Sequence, residues 1–343
     1  MPEISFIIEG LGYGHAARML PVVEKTGGKV ITYGQGAEFF REKKVDVVEV
    51  EQPYDLKFDE NGLDVASSIA EILKRFNPGT LTRSKEIIEK SDIVVIDSSM
   101  FGLLLSTMLN KKIIFISNNT DNSIFFSGVH KTIIKGFDKF FHASFSNGNT
   151  IAIPDFPMPY SICARNIRQN LPKNTVFLGP VVDLSGIRKW KNSTVVINQG
   201  AGYNTDTDII GVARKMKDYN FVAKGPKSKD GNIVFMEYVR DFMGGSMANI
   251  LHGGHTTIME SIMLRRPMVC IPNSNYQERI NNSLMVKELG IGECLDPGEV
   301  NEFSLSLAIE KARRLRKSID SFYRVGKKMN GAKRLVSLIE SSL

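Results

Sequence analysis

Short, continuously apolar segments alternate with segments of helical periodicity along the N-terminal half of the chain. The apolar segments are rich in Val and Ile and read "ISFIIEG", "KVITYG", "VDVVEVE", "DIVVIDS" and "KIIFISN". Helical segments such as "GHAARMLPVVEKTG" and "LTRSKEIIEKS" lie between several of them. Continuously apolar strands are typical of parallel sheets that helices cover on both faces. The pattern therefore predicts an α/β fold built on a doubly wound sheet.

The second half of the chain repeats this pattern with the segments "TVVINQG", "NFVAKG", "NIVFMEY", "NILHGG" and "PMVCIP". We therefore expect two Rossmann-like domains that face each other across a cleft and bind ligands at the carboxyl ends of their strands. The predicted N-terminal domain covers residues 1–180, a linker 181–192, and the C-terminal domain 193–325. One long helix is predicted from about Asn301 to Leu343, and its part 326–343 is expected to cross back to the N-terminal domain.

Composition excludes several classes of protein. The net charge of +7 is compatible with anionic partners, but no nucleic-acid-binding signature is present, so we expect no nucleic-acid partner. No apolar run approaches the ~18 residues that a membrane span needs, and the N-terminus lacks the features of a signal peptide. The three cysteines form no CxxC pair. These features predict a cytoplasmic protein without a disulfide framework or a zinc site.

The first corner, residues 10–18, joins the first strand to a helix and reads "GLGYGHAAR". Its glycines resemble the spacing of a dinucleotide site, but Ala17 replaces the third glycine, and the second strand ends without a ribose-binding acid. His15 is placed at the helix start, where the helix dipole disfavours a charged imidazolium. A neutral imidazole in a cleft is suited to act as a general base. A histidine that only caps or packs in the turn is the alternative.

The second corner, residues 250–261, reads "ILHGGHTTIMES". A helix predicted to start near His255 would expose backbone N–H groups that bind phosphate, glycines would let a ligand approach, and threonine hydroxyls would add donors. Glu260 lies one turn beyond Thr256, and we expect it to face solvent and bind a ribose diol. The corner would suit a nucleotide diphosphate. An ordinary capped strand–helix junction is the alternative.

The segment "HGGHTTIMESIMLRRPMVCIPNSNYQERINNSLMVKELGIG" closely resembles the donor-binding signature of GT-B glycosyltransferases. The nearest groups are the UDP-glycosyltransferases and relatives of the lipid-II-forming N-acetylglucosaminyltransferase. "SDIVVIDSSMFGLLLSTMLNKKIIFISNN" is similar to the acceptor-domain strand that ends in Asp, and "VFLGPVV" to the start of the interdomain linker. The resemblance implies an inverting transfer from a UDP-sugar to an acceptor hydroxyl, with no cofactor. The resemblance also implies transfer without a metal ion, so we expect no metal.

The resemblance also implies roles for individual residues. His15 would be the catalytic base, Asp97 would orient it, and Gly12, Gly14 and Arg18 would form the turn on the acceptor side. The donor would be bound by residues of the second domain, namely Gly200, Gly202, Tyr238, Val239, His252, Gly253, Gly254, His255, Thr256, Thr257, Glu260 and Gln277. Among these, His252 and the helix start would meet the negative charge of the departing UDP.

The sequence departs from the family pattern at two positions. The identity of the transferred sugar and the residues that contact the uracil base therefore stay open. Tyr276 stands where the plant enzymes usually carry an acidic residue before the glutamine. Trp190, the only tryptophan, lies away from the position of the family's uracil platform, so Tyr238, Val239 and Arg240 become the candidates for the uracil site.

The sequence is also compatible with two other functions. In a UDP-sugar hydrolase, which shares a turn like "GHAAR", His15 would activate water, and in a non-catalytic subunit the site would only bind the nucleotide sugar. Glu9 is the next candidate for the base.

The acceptor is not identified, and a lipid-linked one is an option. Lysines interleave with a group of aromatic residues that could dock on an anionic membrane, namely Phe125, Phe126, Phe137, Phe140 and Phe141. A buried helix with a solvated basic edge is the alternative.

Overall fold

The computed structural model describes residues 2–53, 57–59, 62–64, 78–121, 136, 139–141, 143–145, 148–187, 193–198, 208–273 and 276–343. The chain forms two compact units. The N-terminal unit consists of Met1–Pro157, Asn166–Asp183 and Asn330–Leu343, and the C-terminal unit of Met158–Arg165 and Leu184–Met329.

The N-terminal unit is built on a seven-stranded sheet in the order β3-β2-β1-β6-β7-β8-β9, whose described strands run parallel. The strands are β1 (Ile4–Ile8), β2 (Lys29–Thr32), β3 (Val47–Glu49), β6 (Ile93–Asp97), β7 (Lys112–Ile116), β8 (Thr150–Ile153) and β9 (Thr175–Phe177), and the antiparallel pair β4 (Lys57–Asp59) and β5 (Gly62–Asp64) stands apart. The five apolar segments of the N-terminal half are thus confirmed as strands. Every residue of β1 and of β6 is buried, as their unbroken apolar runs predicted.

Helices of the N-terminal unit connect these strands. Among the described residues they include α1 (Gly14–Thr26), α2 (Gly34–Glu42), α3 (Pro78–Lys90) and α4 (Met100–Met108). Helix α1 packs its apolar side chains, including Met19, Leu20 and Val23, on Phe6 and Ile8 of the sheet. This packing fixes the first turn of α1 at the carboxyl end of β1.

The C-terminal unit has a second seven-stranded sheet, in the order β12-β13-β11-β10-β14-β15-β16. Its strands are β10 (Thr194–Asn198), β11 (Asn220–Lys224), β12 (Ser228–Asp230), β13 (Ile233–Met236), β14 (Ala248–Leu251), β15 (Met268–Cys270) and β16 (Glu293–Cys294). Only β12 is antiparallel to its neighbour among the described strands of this sheet. The two-domain α/β architecture with parallel sheets is therefore confirmed.

The helices of the second half are α5 (Ile209–Lys215), α6 (His255–Met263), α7 (Gln277–Glu288), α8 (Glu302–Arg314), α9 (Arg316–Met329) and α10 (Gly331–Ser342). The single helix expected from Asn301 to Leu343 is wrong, because the segment breaks at Leu315 and again at Asn330. Asn330 adopts a left-handed conformation with φ of 47°, which a continuous helix does not allow.

Helix α10 contributes to the N-terminal unit. Its residues Leu335, Val336 and Ile339 are buried in the same core as Phe6 and Val95. Among the described residues, the helices are either too short or too polar to cross a membrane.

Strand register brings the polar residues of each unit together. In the N-terminal sheet Ile8 pairs with Asp97, and Asp97 pairs with Ile116, so β1, β6 and β7 end side by side. In the C-terminal sheet Asn198 pairs with Leu251, so β10 and β14 also end together. Both corners identified in the sequence lie at these carboxyl ends.

Candidate active site

The first corner places His15 on the second residue of α1. Gly12 has a φ of 78°, which side chains other than glycine rarely adopt, so this predicted turn residue is needed for the backbone path. Gly14 is the first residue of α1. Asp97 is the last residue of β6, next to the end of β1.

His15 and Asp97 form the pair that the sequence predicted. Nδ1 of His15 lies 2.9 Å from Oδ1 of Asp97. A carboxylate only accepts hydrogen bonds, so this contact places a proton on Nδ1, and in the neutral tautomer the lone pair then lies on Nε2. Asp97 is fully buried, whereas the His15 side chain is 26% exposed. Nε2 of His15 hydrogen-bonds to none of the described residues, and this nitrogen is the atom that can take a proton from a substrate.

Arg18 holds the other side of the Asp97 carboxylate. Its Nε donates to Oδ2 at 2.7 Å, and its Nη2 donates to Oδ1. The same guanidinium also donates to Oδ1 of Asn118 and to Oγ of Ser98, both at 3.3 Å. Arg18 is among the largest fully buried side chains of the described chain. Two parallel hydrogen bonds fix the plane of the carboxylate and thus the direction in which it faces His15.

Arg18 was predicted only as a turn residue, so its role as the partner of Asp97 is new. A sequence signal for it exists, because residues three apart on a helix share a face, and His15 and Arg18 are so spaced. Nη2 of Arg18 also lies 3.1 Å from Nδ1 of His15. The shorter contact to the charged carboxylate favours Nδ1 as a donor to Asp97.

The charge of Asp97 is maintained by its neighbours. Burial acts to raise its pKa, but the Arg18 guanidinium and His15 outweigh burial and hold the pKa well below its usual range. Asp97 therefore stays ionised at neutral pH. It can stabilise the positive charge that His15 acquires when it takes a proton.

Glu9, the alternative catalytic base, forms hydrogen bonds with the first corner. It is buried, and its Oε1 accepts hydrogen bonds from the backbone N–H of Leu11, at 3.2 Å, and from the hydroxyl of Tyr33. The backbone of Gly10 lies so close to Tyr33 that a Cβ would come within 2.1 Å of its carbonyl oxygen. The contacts of Glu9 thus stabilise the turn that carries His15.

His252, in the second corner, directly follows β14. Its Nδ1 donates to the carbonyl oxygen of Asn198 at 3.3 Å. Burial first, and then the positive charge of Arg279, lower the pKa of His252 to about 3, although the bond to Asn198 acts in the opposite direction. The ring is therefore neutral at pH 7, and Nε2 carries no proton. His252 could donate to a phosphate only after gaining a proton, and its contact with the donor phosphates stays a prediction.

The two glycines of the second corner pack against protein atoms. Gly253 has a φ of 83°, and a Cβ on it would come within 2.4 Å of the Arg279 carbonyl oxygen. A Cβ on Gly254 would lie 2.7 Å from Nε2 of His252. Asn282 of α7 donates to the carbonyl of Gly253 at 3.1 Å. The glycines therefore allow α7 and the His252 ring to pack on the turn, a reason that the sequence did not reveal.

Helix α6 starts at this corner as predicted. Its N-cap is Gly254, which has no side chain to cap the backbone N–H groups. His255 is buried and Thr256 is half-buried. The hydroxyl of Thr257 donates to the carbonyl of Gly254 at 2.9 Å, so its proton is used within the turn rather than offered as the expected donor.

Glu260 does not face solvent, and this expectation was wrong. It is only 2% exposed, and its Oε1 accepts a hydrogen bond from Nε of Arg240 at 2.6 Å. Arg240 opens a short 3₁₀ turn, Arg240–Gly245, that follows β13 and lies between β13 and β14 in the chain. This turn places Arg240 against the face of α6 that carries Glu260. Helical periodicity alone would predict that this face is exposed to solvent.

The other residues predicted to bind the sugar donor differ in their exposure to solvent. Tyr238 is 54% exposed and Val239 is buried. Gln277, exposed on the first turn of α7, donates to Oδ1 of Asn281 at 2.9 Å. Gly200 and Gly202 lie outside the described residues, as does Trp190.

The aromatic residues proposed for membrane docking are only partly described. Phe125, Phe126 and Phe137 lie outside the described residues. Phe141 is 2% exposed, and its ring centroid lies 4.9 Å from that of Phe145. Phe141 is thus part of the core, and docking through this side chain is wrong.

Comparisons with known proteins show which proteins this chain is similar to. Residues 192–338 match the glycosyltransferase family 28 C-terminal domain. An uncharacterized glycosyltransferase of Methanosarcina acetivorans is 28% identical, and the alignment covers 99% of this chain and 98% of that protein. The chain is thus similar to a glycosyltransferase along almost its whole length.

One further sequence relative and one solved structure add to this similarity. The UDP-N-acetylglucosamine–N-acetylmuramyl-(pentapeptide) pyrophosphoryl-undecaprenol N-acetylglucosamine transferase of Thermosipho africanus is 28% identical over 123 residues, 33% of this chain and 37% of that protein. The structure of the glycotransferase of kitacinnamycin is similar with a TM-score of 0.74 at 16% identity, covering 100% of this chain and 99% of that one. The chain has the GT-B fold, and the findings support a glycosyltransferase of this type, as the sequence resemblance predicted.

Proposed function

We propose that the protein transfers a sugar from a UDP-sugar to an acceptor hydroxyl, with inversion at the anomeric carbon and without a metal ion. The observation that carries the proposal is the buried chain of contacts from Arg18 through Asp97 to His15. It presents Nε2 of His15, whose other ring nitrogen contacts a carboxylate that stays ionised. An acceptor hydroxyl, with a pKa of about 15 in the free alcohol, needs such a base because its oxygen is a poor nucleophile while protonated.

In the proposed step, Nε2 of His15 takes the proton of the acceptor hydroxyl as the acceptor oxygen forms its bond to the anomeric carbon. The bond from that carbon to the phosphate oxygen of UDP breaks, and UDP leaves with the electron pair. Direct displacement inverts the configuration. The imidazolium that forms is stabilised by Asp97, whose orientation Arg18 fixes.

The second corner is the proposed site for the diphosphate. Helix α6 begins there at a glycine, and backbone N–H groups at a helix start bind phosphate. These groups can meet the negative charge of the leaving UDP without a metal. Glu260 is proposed to bind the ribose hydroxyls, for which its carboxylate would exchange part of its interaction with Arg240.

The UDP-sugar donor and a lipid-linked acceptor are supported by the relative from Thermosipho africanus, whose name includes both a UDP-sugar and pyrophosphoryl-undecaprenol. We accordingly propose a lipid-linked acceptor and action in the cytoplasm, at a membrane surface. The sugar itself is not assigned, because Tyr276 replaces the acidic residue of the family pattern.

Release of UDP from a panel of UDP-sugars, with and without a cell lipid extract, tests the proposal. We expect UDP release that depends on the extract, together with a glycosylated lipid detected by mass spectrometry. Equal release without any acceptor would instead favour hydrolysis, with His15 activating water. Absence of release with every UDP-sugar, despite binding of UDP, would favour a subunit that only binds the nucleotide sugar.

A further inference from the structure

An open cavity of about 650 Å³ lies in the C-terminal unit, away from the second corner. Ser193, Met247 and Pro267, which directly precede β10, β14 and β15, form part of its wall. The cavity therefore lies at the amino ends of these strands, whereas His252 follows the carboxyl end of β14. Its charged lining consists of Arg265, Arg266, Arg313, Arg314, Arg316 and Glu310.

The positive charge of this cavity is only partly neutralised. Arg265 donates two hydrogen bonds to Asp320, at 2.7 and 2.9 Å, and Arg313 donates to Glu310 at 2.8 Å. The other three arginines, Arg266, Arg314 and Arg316, form no ion pair with any carboxylate in the described part of the chain. Arg316 interacts only with the charge of Asp320, which already pairs with Arg265, so the cavity keeps an excess of positive charge.

The guanidinium of Arg266 is affected by the other positive charges of the cavity. Its Nη1 donates to the carbonyl of Ser246 at 3.2 Å, while its buried Nε hydrogen-bonds to none of the described residues. Burial first, and then the positive charges of Arg316 and Arg265, lower the pKa of the Arg266 guanidinium. Like charges repel, and an anion bound among these arginines would reduce the repulsion.

The backbone places two of the arginines at unfavourable positions. Arg265 has a φ of 59° just after α6, where helices usually carry glycine. Arg316 is the first residue of α9, a helix end whose dipole disfavours cations, and no acidic residue lies in that first turn. Residues kept in strained or electrostatically unfavourable positions often mark ligand sites.

We propose that this arginine cavity binds a phosphate-bearing group with at least two negative charges, such as a phosphate monoester or a diphosphate. Guanidinium groups match phosphate oxygens with paired hydrogen bonds, and several of them around one cavity suit a multiply charged anion. The site is distinct from the second corner, because the two lie at opposite ends of the same sheet. The inference does not depend on the proposed transfer reaction.

The test is a calorimetric titration with inorganic pyrophosphate. The double variant Arg314→Ala/Arg316→Ala removes two exposed side chains from the cavity, so it should fold, as circular dichroism can verify. The control Lys327→Ala/Lys328→Ala removes the same charge from the exposed last turn of α9, outside the cavity. Because the second corner is also expected to bind diphosphate, the number of sites is fitted for each protein.

We expect the arginine variant to bind one pyrophosphate fewer than the wild type, or to bind it at least about tenfold more weakly, as loss of hydrogen bonds to a charged group implies. The lysine control should keep the wild-type isotherm. An arginine variant that matches the wild type, or a lysine control that loses the same site, overturns the proposal.

Vesicles distinguish the source of the phosphate. Co-sedimentation with phosphatidylcholine vesicles that contain phosphatidic acid, but not with phosphatidylcholine alone, would identify a lipid headgroup if pyrophosphate competes and the arginine variant is deficient. Binding of pyrophosphate without co-sedimentation would identify a free phosphate compound. Co-sedimentation that the arginine variant retains would count against the cavity as a headgroup site.

Discussion

The carboxylate of Asp97 is shared between two groups of α1, Nε of Arg18 at 2.7 Å and Nδ1 of His15 at 2.9 Å. The three side chains are thus one unit, in which Arg18 fixes the carboxylate and the carboxylate fixes the imidazole. Substitutions at either end should act through Asp97.

Replacement of Arg18 should destabilise the protein through the charge it leaves behind. In Arg18→Ala the buried carboxylate of Asp97 loses its main partner, and breaking a buried pair in this way costs about 3–5 kcal/mol of the free energy of unfolding. The added substitution Asp97→Asn removes the unpaired charge, so the double variant should be more stable than Arg18→Ala alone. Urea denaturation of the variants measures this, and a double variant less stable than Arg18→Ala would contradict the account.

Replacement of His15 should affect turnover and not UDP binding. We expect His15→Ala to lower turnover by ~10²–10⁴, the usual contribution of a positioned general base. The double variant His15→Ala/Asp97→Asn should be little slower, since groups that act as a unit are not additive. Steady-state rates at saturating acceptor, with UDP affinity measured in parallel, test both statements. Near-normal turnover of His15→Ala would show that His15 is a structural turn residue.

Acid should destabilise the protein through His252. Its pKa is about 3 in the folded protein and 6.5 in the unfolded chain, so the unfolded state takes up a proton that the folded state refuses. The free energy of unfolding should therefore fall as pH decreases from about 6.5 towards 3, by on the order of 4–5 kcal/mol over the whole window. The lowered pKa of Asp97 acts in the same direction, but only as pH falls below its unfolded value near 4.

His252→Asn removes this proton uptake and serves as the comparison. Its free energy of unfolding should depend less on pH than that of the wild type between pH 6.5 and about 4.5. Denaturation series at matched pH values provide the measurement. Parallel curves for the two proteins would mean that His252 is not held neutral by its surroundings.

The pair Arg240–Glu260 should respond unequally to removal of its members. Glu260 is 2% exposed and Arg240 is 25% exposed, so a stranded Glu260 has less access to water than a stranded Arg240. We expect Arg240→Ala to cost about 3–5 kcal/mol of stability and Glu260→Ala about 1–3 kcal/mol. Folded Glu260→Ala should also bind UDP more weakly by roughly 1.5–3 kcal/mol. An unchanged UDP affinity would remove Glu260 from the ribose site.

Removal of divalent metal should leave UDP binding intact. The proposed diphosphate site consists of backbone N–H groups at the start of α6, which need no bridging cation. Calorimetry with UDP in the presence of a chelator, and then with added Mg²⁺ or Mn²⁺, measures this. Binding that appears only with metal would mean that the diphosphate site is assigned wrongly.

The parallel sheets could be predicted because burial on both faces forces long apolar runs, as in β1, β6, β10 and β14. Strand β16 escaped prediction because two residues carry no periodicity. The break at Asn330 also escaped, since apolar spacing continues across it while only its left-handed backbone ends the helix.

The candidate site was predicted where the relevant residues are neighbours in sequence or at strand ends. The pairing of His15 with Asp97 was expected from the family resemblance, and the structure explains it because β1 and β6 end side by side. The bond from Arg18 to Asp97 spans 79 positions, and that from Arg240 to Glu260 joins a turn to a helix. Helical periodicity describes one helix at a time and does not show which side chain from another element covers a given face, which is why Glu260 was expected in solvent.

The position of α10 sets an order of events during synthesis of the chain. The N-terminal sheet leaves the ribosome first, but its core lacks Leu335, Val336 and Ile339 until the last helix has been made. Gly331 must then settle against the backbone of Gly179 and Pro180, where a Cβ would come within 2.6 Å of a carbonyl oxygen. The unit that begins the chain is therefore completed after the C-terminal sheet has been translated, and ribosome-bound chains that stop before α10 will carry an unfinished N-terminal core.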